Sequence, residues 1–148
     1  MFDMIIAGLA LLVSVINVVL YFRLQGKYNE MTKTQMLTAQ GAVETQVRNS
    51  ISDANKEVLH YATEVEKNPS SKVTQKAYFT AEEMYRNAYE DACAKYLDRK
   101  IDVERFEKMY KQEIYKLVND PQQKEFYATN QTTYASTVAV YKNWFSQS

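Results

Sequence analysis

The chain has 148 residues, 24% of them charged, with 18 basic and 18 acidic side chains. That length allows one modest domain plus an anchor. The charges balance on both sides of Lys72, which leaves no basic excess for phosphate binding, so nucleic acid is not an expected partner. A single cysteine, Cys93, excludes an internal disulfide and fits a reducing compartment. With three glycines, two prolines and few β-branched runs past residue 20, the chain reads as all-α.

Met4 to Phe22 is nineteen residues without a formal charge. As a helix it would span about 28 Å, the thickness of a bilayer core. A secretory signal wants a basic start, a shorter apolar core and a small-residue cleavage site. Here the leading residues hold Asp3 and no cation, and the exit reads Tyr21-Phe22-Arg23, an aromatic pair followed by a positive charge. Residues 1–23 are therefore expected to be an uncleaved single-pass transmembrane anchor. Arg23, Lys27 and Lys33 follow the run, which places the N-terminus outside and the C-terminal domain in the cytoplasm. The sequon Asn130-Gln131-Thr132 is unused in that compartment.

Ala7, Ala10, Ser14, Asn17 and Tyr21 recur at spacings of three and four, so they share one small or polar helix face. Such a stripe is either a chance alignment of tolerated residues or a helix–helix contact surface in lipid. Leu24, Tyr28 and Met31 continue the register past the membrane and suit a coiled-coil seam. The expectation is a homo-oligomer joined through these eight residues.

Residues 24–67 read as one long juxtamembrane helix. Its better stripe is Val43, Val47, Ile51, Ala54, Val58, Ala62 and Val65, an eleven-residue period close to a straight helix. Asn68-Pro69-Ser70-Ser71 ends it, and 68–72 is a linker. Residues 73–148 read as a small helical bundle, marginal for a lone core and helped by docking on the long helix or on another subunit. Its first helix, from about Lys72 to Leu97, carries a stripe of Val73, Ala77, Ala81, Met84, Ala88 and Ala92. After a connection at Asp98–Asp102, a further helix carries Val103, Phe106, Tyr110, Ile114 and Leu117. Asp120-Pro121-Gln122-Gln123 then predicts a short helix to about Ala128, with Asp120 as N-cap and Gln123 completing a capping box. The last helix, from about Thr132, places Tyr134, Val138, Tyr141 and Phe145 on one side, beside Trp144.

Tyrosine is the unusual feature, with twelve in the chain. Tyr78, Tyr85, Tyr89 and Tyr96 form a second stripe on the first bundle helix. It reads as a tyrosine-rich core edge, or as an aromatic surface for a protein partner or a nucleobase-bearing ligand. Arg99, Lys100 and Arg105, with Lys108 and Lys111, make a basic strip interleaved with Asp98, Asp102, Glu104 and Glu107. It reads as a solvated face of ion pairs, or as a seat for a small anionic ligand or lipid headgroups.

Catalytic signals are weak. No glycine follows Gly41, so the rest of the chain has no glycine-rich phosphate loop. Glu57-Val58-Leu59-His60 matches half of a di-iron motif, but His60 is the only histidine and the pair lies off the apolar stripe. Cys93, between Ala92 and Ala94, reads as buried and inert. Adjacent Glu82-Glu83 and Glu90-Asp91 point to different helix faces and form no carboxylate dyad. No cofactor, metal or catalytic residue is expected.

The stretch from Asn87 to Asp102, its continuation VERFEKMYKQEIYKLV and the later YASTVAVYKNW resemble a group of short, uncharacterised bacterial proteins, over about residues 87–145. These have an N-terminal apolar helix and a small helical domain. The resemblance implies a bacterial inner-membrane protein and supplies no activity. The expected function is a non-enzymatic, self-associating membrane protein that presents its helical domain to a cytoplasmic protein partner. The alternative is an oligomeric pore- or leak-forming effector of the bacterial-immunity type, gated by a signal sensed in that domain, an analogy of plan.

Overall fold

Side-chain caps start two of the bundle helices. Ser71 Oγ accepts from the Thr74 amide and opens one helix. Asp102 Oδ1 accepts from the Arg105 amide at 2.9 Å and opens the next. In the computed structural model the backbone is described for residues 2–128 and 132–146, and side chains from Ser14 onward within those ranges. The order is α1 (Phe2–Lys67), α2 (Lys72–Leu97), α3 (Val103–Asn119), a 3-10 turn (Lys124–Phe126) and α4 (Ala135–Phe145). The protein is all-α, with no strand among the described residues.

The chain divides into two compact units, residues 1–39 and 40–148. In the first, every described side chain from Ser14 to Ala39 is exposed. Among the described residues no helix is long and apolar enough to cross a membrane. The apolar run Met4–Phe22 has its first ten residues outside the described side chains, and so do Ala7 and Ala10 of the interface stripe.

The second unit holds the core. Val47, Ile51 and Ala54 of α1 are buried with Ala88, Tyr89, Ala92 and Cys93 of α2. Phe106, Tyr110, Ile114 and Leu117 of α3 and Val140 of α4 complete it. The α1 period thus buries the face its spacing implies. Glu44, also on α1, accepts from the Asp102 amide at 2.9 Å and from Arg105 Nη1 at 2.6 Å, so the long helix grips the first turn of α3.

Four expectations need correction. Val73 and Met84 are exposed at 81% and 51%, so the buried face of α2 rotates onto Ala81, Ala88, Tyr89, Ala92 and Cys93. The helix expected after Pro121 is only a turn and the 3-10 segment. Asp120 does bind the Gln122 amide at 2.8 Å, but Gln123 gives its side chain to α2 instead of reaching back to form a capping box. In α4 the innermost residues are Thr137 and Val140, both at 0% exposure, and Thr137 is inside because its hydroxyl has a partner there.

The end of α2 is shaped by Arg99, whose φ of 56° is left-handed. Its amide donates to the Tyr96 carbonyl and that of Lys100 to the Lys95 carbonyl, the paired bonds of a Schellman stop. An arginine here takes the position glycine usually fills.

Candidate functional site on α2 and the loop before α4

The four tyrosines predicted as one surface occupy different environments. Tyr89 is 1% exposed and belongs to the core. Its hydroxyl donates to Glu113 at 3.2 Å and its ring meets those of Tyr85 and Tyr110 edge-on. Burial, then the neighbouring Tyr85 hydroxyl and Glu113 carboxylate, push its phenol well above the usual range. It therefore drops out of any partner surface. Tyr96 is half-buried between Phe106 and Trp144, and its hydroxyl accepts from Trp144 Nε1 at 3.0 Å. Tyr85 is half-buried against the core, and Tyr78 is half-buried near Glu82.

The basic strip is largely consumed by the chain's own acids. Arg105 pairs with Glu44 and Asp102, Lys100 with Asp98, and Lys111 with Glu107. Arg99 serves as the helix stop. Pairs this exposed add little stability, yet they leave less free charge for an anion. Glu57 and His60 are both exposed, and no group among the described residues could hold a metal ion. Cys93 is fully buried, and burial pushes its thiol up to about 12, so the thiolate needed for nucleophilic chemistry is not formed near neutral pH.

The densest polar construction centres on Arg86, which no sequence pattern singled out. Glu82, Arg86 and Glu90 sit one turn apart on α2 and hold Gln123, Phe126, Tyr134 and the first turn of α4. Gln123 Nε2 donates to Glu82 at 3.0 Å. Arg86 donates through Nη1 to Gln123 Oε1 at 2.6 Å and through Nε to the Tyr134 hydroxyl at 3.3 Å. Its guanidinium carbon lies 3.9 Å from the centre of the Phe126 ring, a cation–π stack. Glu90 accepts from the Ser136 and Thr137 amides at 2.8 and 2.9 Å and from the Thr137 hydroxyl. It thus supplies the N-terminal cap that Tyr134, with no side-chain cap bond, does not.

Arg86 is 5% exposed and is the one buried charged side chain among the described residues. All its partners are neutral, and no described carboxylate pairs with it. Taking an unpaired cation out of water is costly, which marks this residue out. The available signal was the Glu-x3-Arg-x3-Glu spacing, which places all three on one face. The neighbouring Tyr127 hydroxyl is buried without a hydrogen-bond partner among the described residues. Family models, curated proteins and solved structures contain no match to this chain.

Proposed function

We infer that the protein is a non-enzymatic, membrane-tethered interaction module. It is anchored through the apolar start of α1, self-associates through that helix and presents residues 40–148 to a cytoplasmic partner. The observation that supports this reading is the exposure of the first unit. Val15, Ile16, Val18, Val19, Leu20, Tyr21, Phe22 and Leu24 are each between 47% and 68% exposed. A soluble monomer rarely leaves so continuous an apolar surface uncovered. Covering these eight side chains is worth on the order of 10 kcal/mol at about 25 cal/mol per Å². Exposure on every side of the helix favours lipid as the cover, and the charge asymmetry around the run favours a cytoplasmic bundle. The bacterial inner membrane follows from the resemblance over residues 87–145.

Self-association rests on the face shared by Ser14, Asn17, Tyr21, Leu24, Tyr28 and Met31, where an amide inside lipid prefers a partner amide. The test is the mass of the detergent-solubilised full chain beside its Asn17→Leu variant. A discrete oligomer that dissociates on losing Asn17 is expected. A monomer in both forms would overturn self-association and leave a plain anchor.

A further inference from the structure

Arg86 borders an open groove of about 480 Å³ between α2 and the 3-10 turn, a volume typical of small-molecule sites. Two of its guanidinium nitrogens are bonded, to Gln123 and Tyr134, and the third, Nη2, has no hydrogen-bond partner among the described residues. A guanidinium edge of this kind matches a carboxylate in geometry and charge. The groove wall nevertheless carries more acid than base: Glu82, Glu83 and Glu125 stand beside Lys76 and Arg86. A polyphosphate or dicarboxylate would meet that acid as repulsion. A ligand that brings its own cation along with one carboxylate would not. Phe79 and Phe126, both exposed, supply aromatic surface on the same wall.

We propose that this groove binds a small zwitterion of the aromatic amino-acid type, with its carboxylate on the free edge of Arg86, its ammonium on Glu83 or Glu125, and its ring against Phe79 and Phe126. The site is separate from the basic strip at Arg99, Lys100 and Arg105 and does not depend on the membrane reading. The carboxylate of the occupant would give Arg86 the anionic partner that no described side chain supplies and would tie α2 more firmly to the segment before α4.

The experiment is calorimetric titration of the full chain in detergent with L-phenylalanine, L-tyrosine and L-tryptophan. L-phenylalaninamide, which lacks the carboxylate, and N-acetyl-L-phenylalanine, which lacks the ammonium, serve as matched probes. At least one parent amino acid should bind, and removing either charge should weaken binding about tenfold or more. Arg86→Lys should weaken the parent similarly. Because Arg86 also holds the loop, the decisive variant is Glu83→Gln with Glu125→Gln, both exposed and outside the hydrogen bonds of the fold. It should weaken the parent and leave the N-acetyl probe bound as well as before or more tightly, since that probe has no ammonium to lose and meets less repulsion. Absence of binding by all three amino acids at millimolar concentration would overturn the proposal. So would equal binding of the amide, or an unchanged affinity in the double variant.

Discussion

Replacing Glu90 with alanine tests how α4 is held. The Ser136 and Thr137 amides are among the first orphan donors of α4, and both end on this one carboxylate, as does the Thr137 hydroxyl. Thr137 is fully buried, so water cannot replace the lost acceptor without the helix moving. Loss of an N-cap and of charge-assisted bonds to a buried hydroxyl together cost about 2–4 kcal/mol. Glu90→Gln keeps one oxygen and should lose about half of that. Trp144, the only tryptophan, lies on α4 with its indole bonded to Tyr96, so urea unfolding followed by its fluorescence reports the affected helix directly. A Glu90→Ala variant within about 0.5 kcal/mol of the parent would refute the capping argument.

Three further outcomes follow from the same structure. Arg99→Gly should raise stability by about 0.5–1 kcal/mol, because glycine adopts the left-handed φ of 56° without a Cβ clash; a lowered melting temperature would contradict this. Tyr127→Phe should be neutral or stabilising by about 1 kcal/mol, since it removes a buried hydroxyl with no partner among the described residues. A loss of more than that in chemical denaturation would show that the hydroxyl is satisfied. Alkaline pH should destabilise the fold. Burial raises Cys93 from 9.0, and Tyr89, Tyr110 and Tyr127 from 10.0, so the unfolded chain releases these protons first and the folded state binds more of them. Their contribution is complete below about pH 9 and is lost progressively above it, more steeply past pH 10. A urea midpoint that stays constant from pH 8 to pH 11 would contradict the burial of these groups.

The periodic parts of the fold were legible in the residues. Val47, Ile51 and Ala54 lie where the eleven-residue period puts them, and Phe106, Tyr110, Ile114 and Leu117 form the inner face of α3. The stop before Pro69 is local chemistry, readable from a few residues. What escaped depends on long-range partners. Gln123 looks like a capping-box residue until Arg86 and Glu82 of α2 draw it away. Thr137 looks like a surface threonine until Glu90 makes it a buried one. Tyr89 shares a stripe with Tyr78 and Tyr96, yet α3 covers it and leaves them half-buried. A one-dimensional pattern places residues on a helix face; which part of that face is covered depends on the packing of other helices.

The proposed function requires that lipid cover the apolar start of α1. Its most direct test is alkaline carbonate extraction of membranes carrying the full chain, beside the variant Ile16→Arg with Val19→Arg. The parent chain should stay with the membrane pellet, and two arginines inside the run, each costing about 2.5–3.5 kcal/mol there, should move the protein to the soluble fraction. A parent chain released by carbonate, or a variant retained as firmly as the parent, would contradict it.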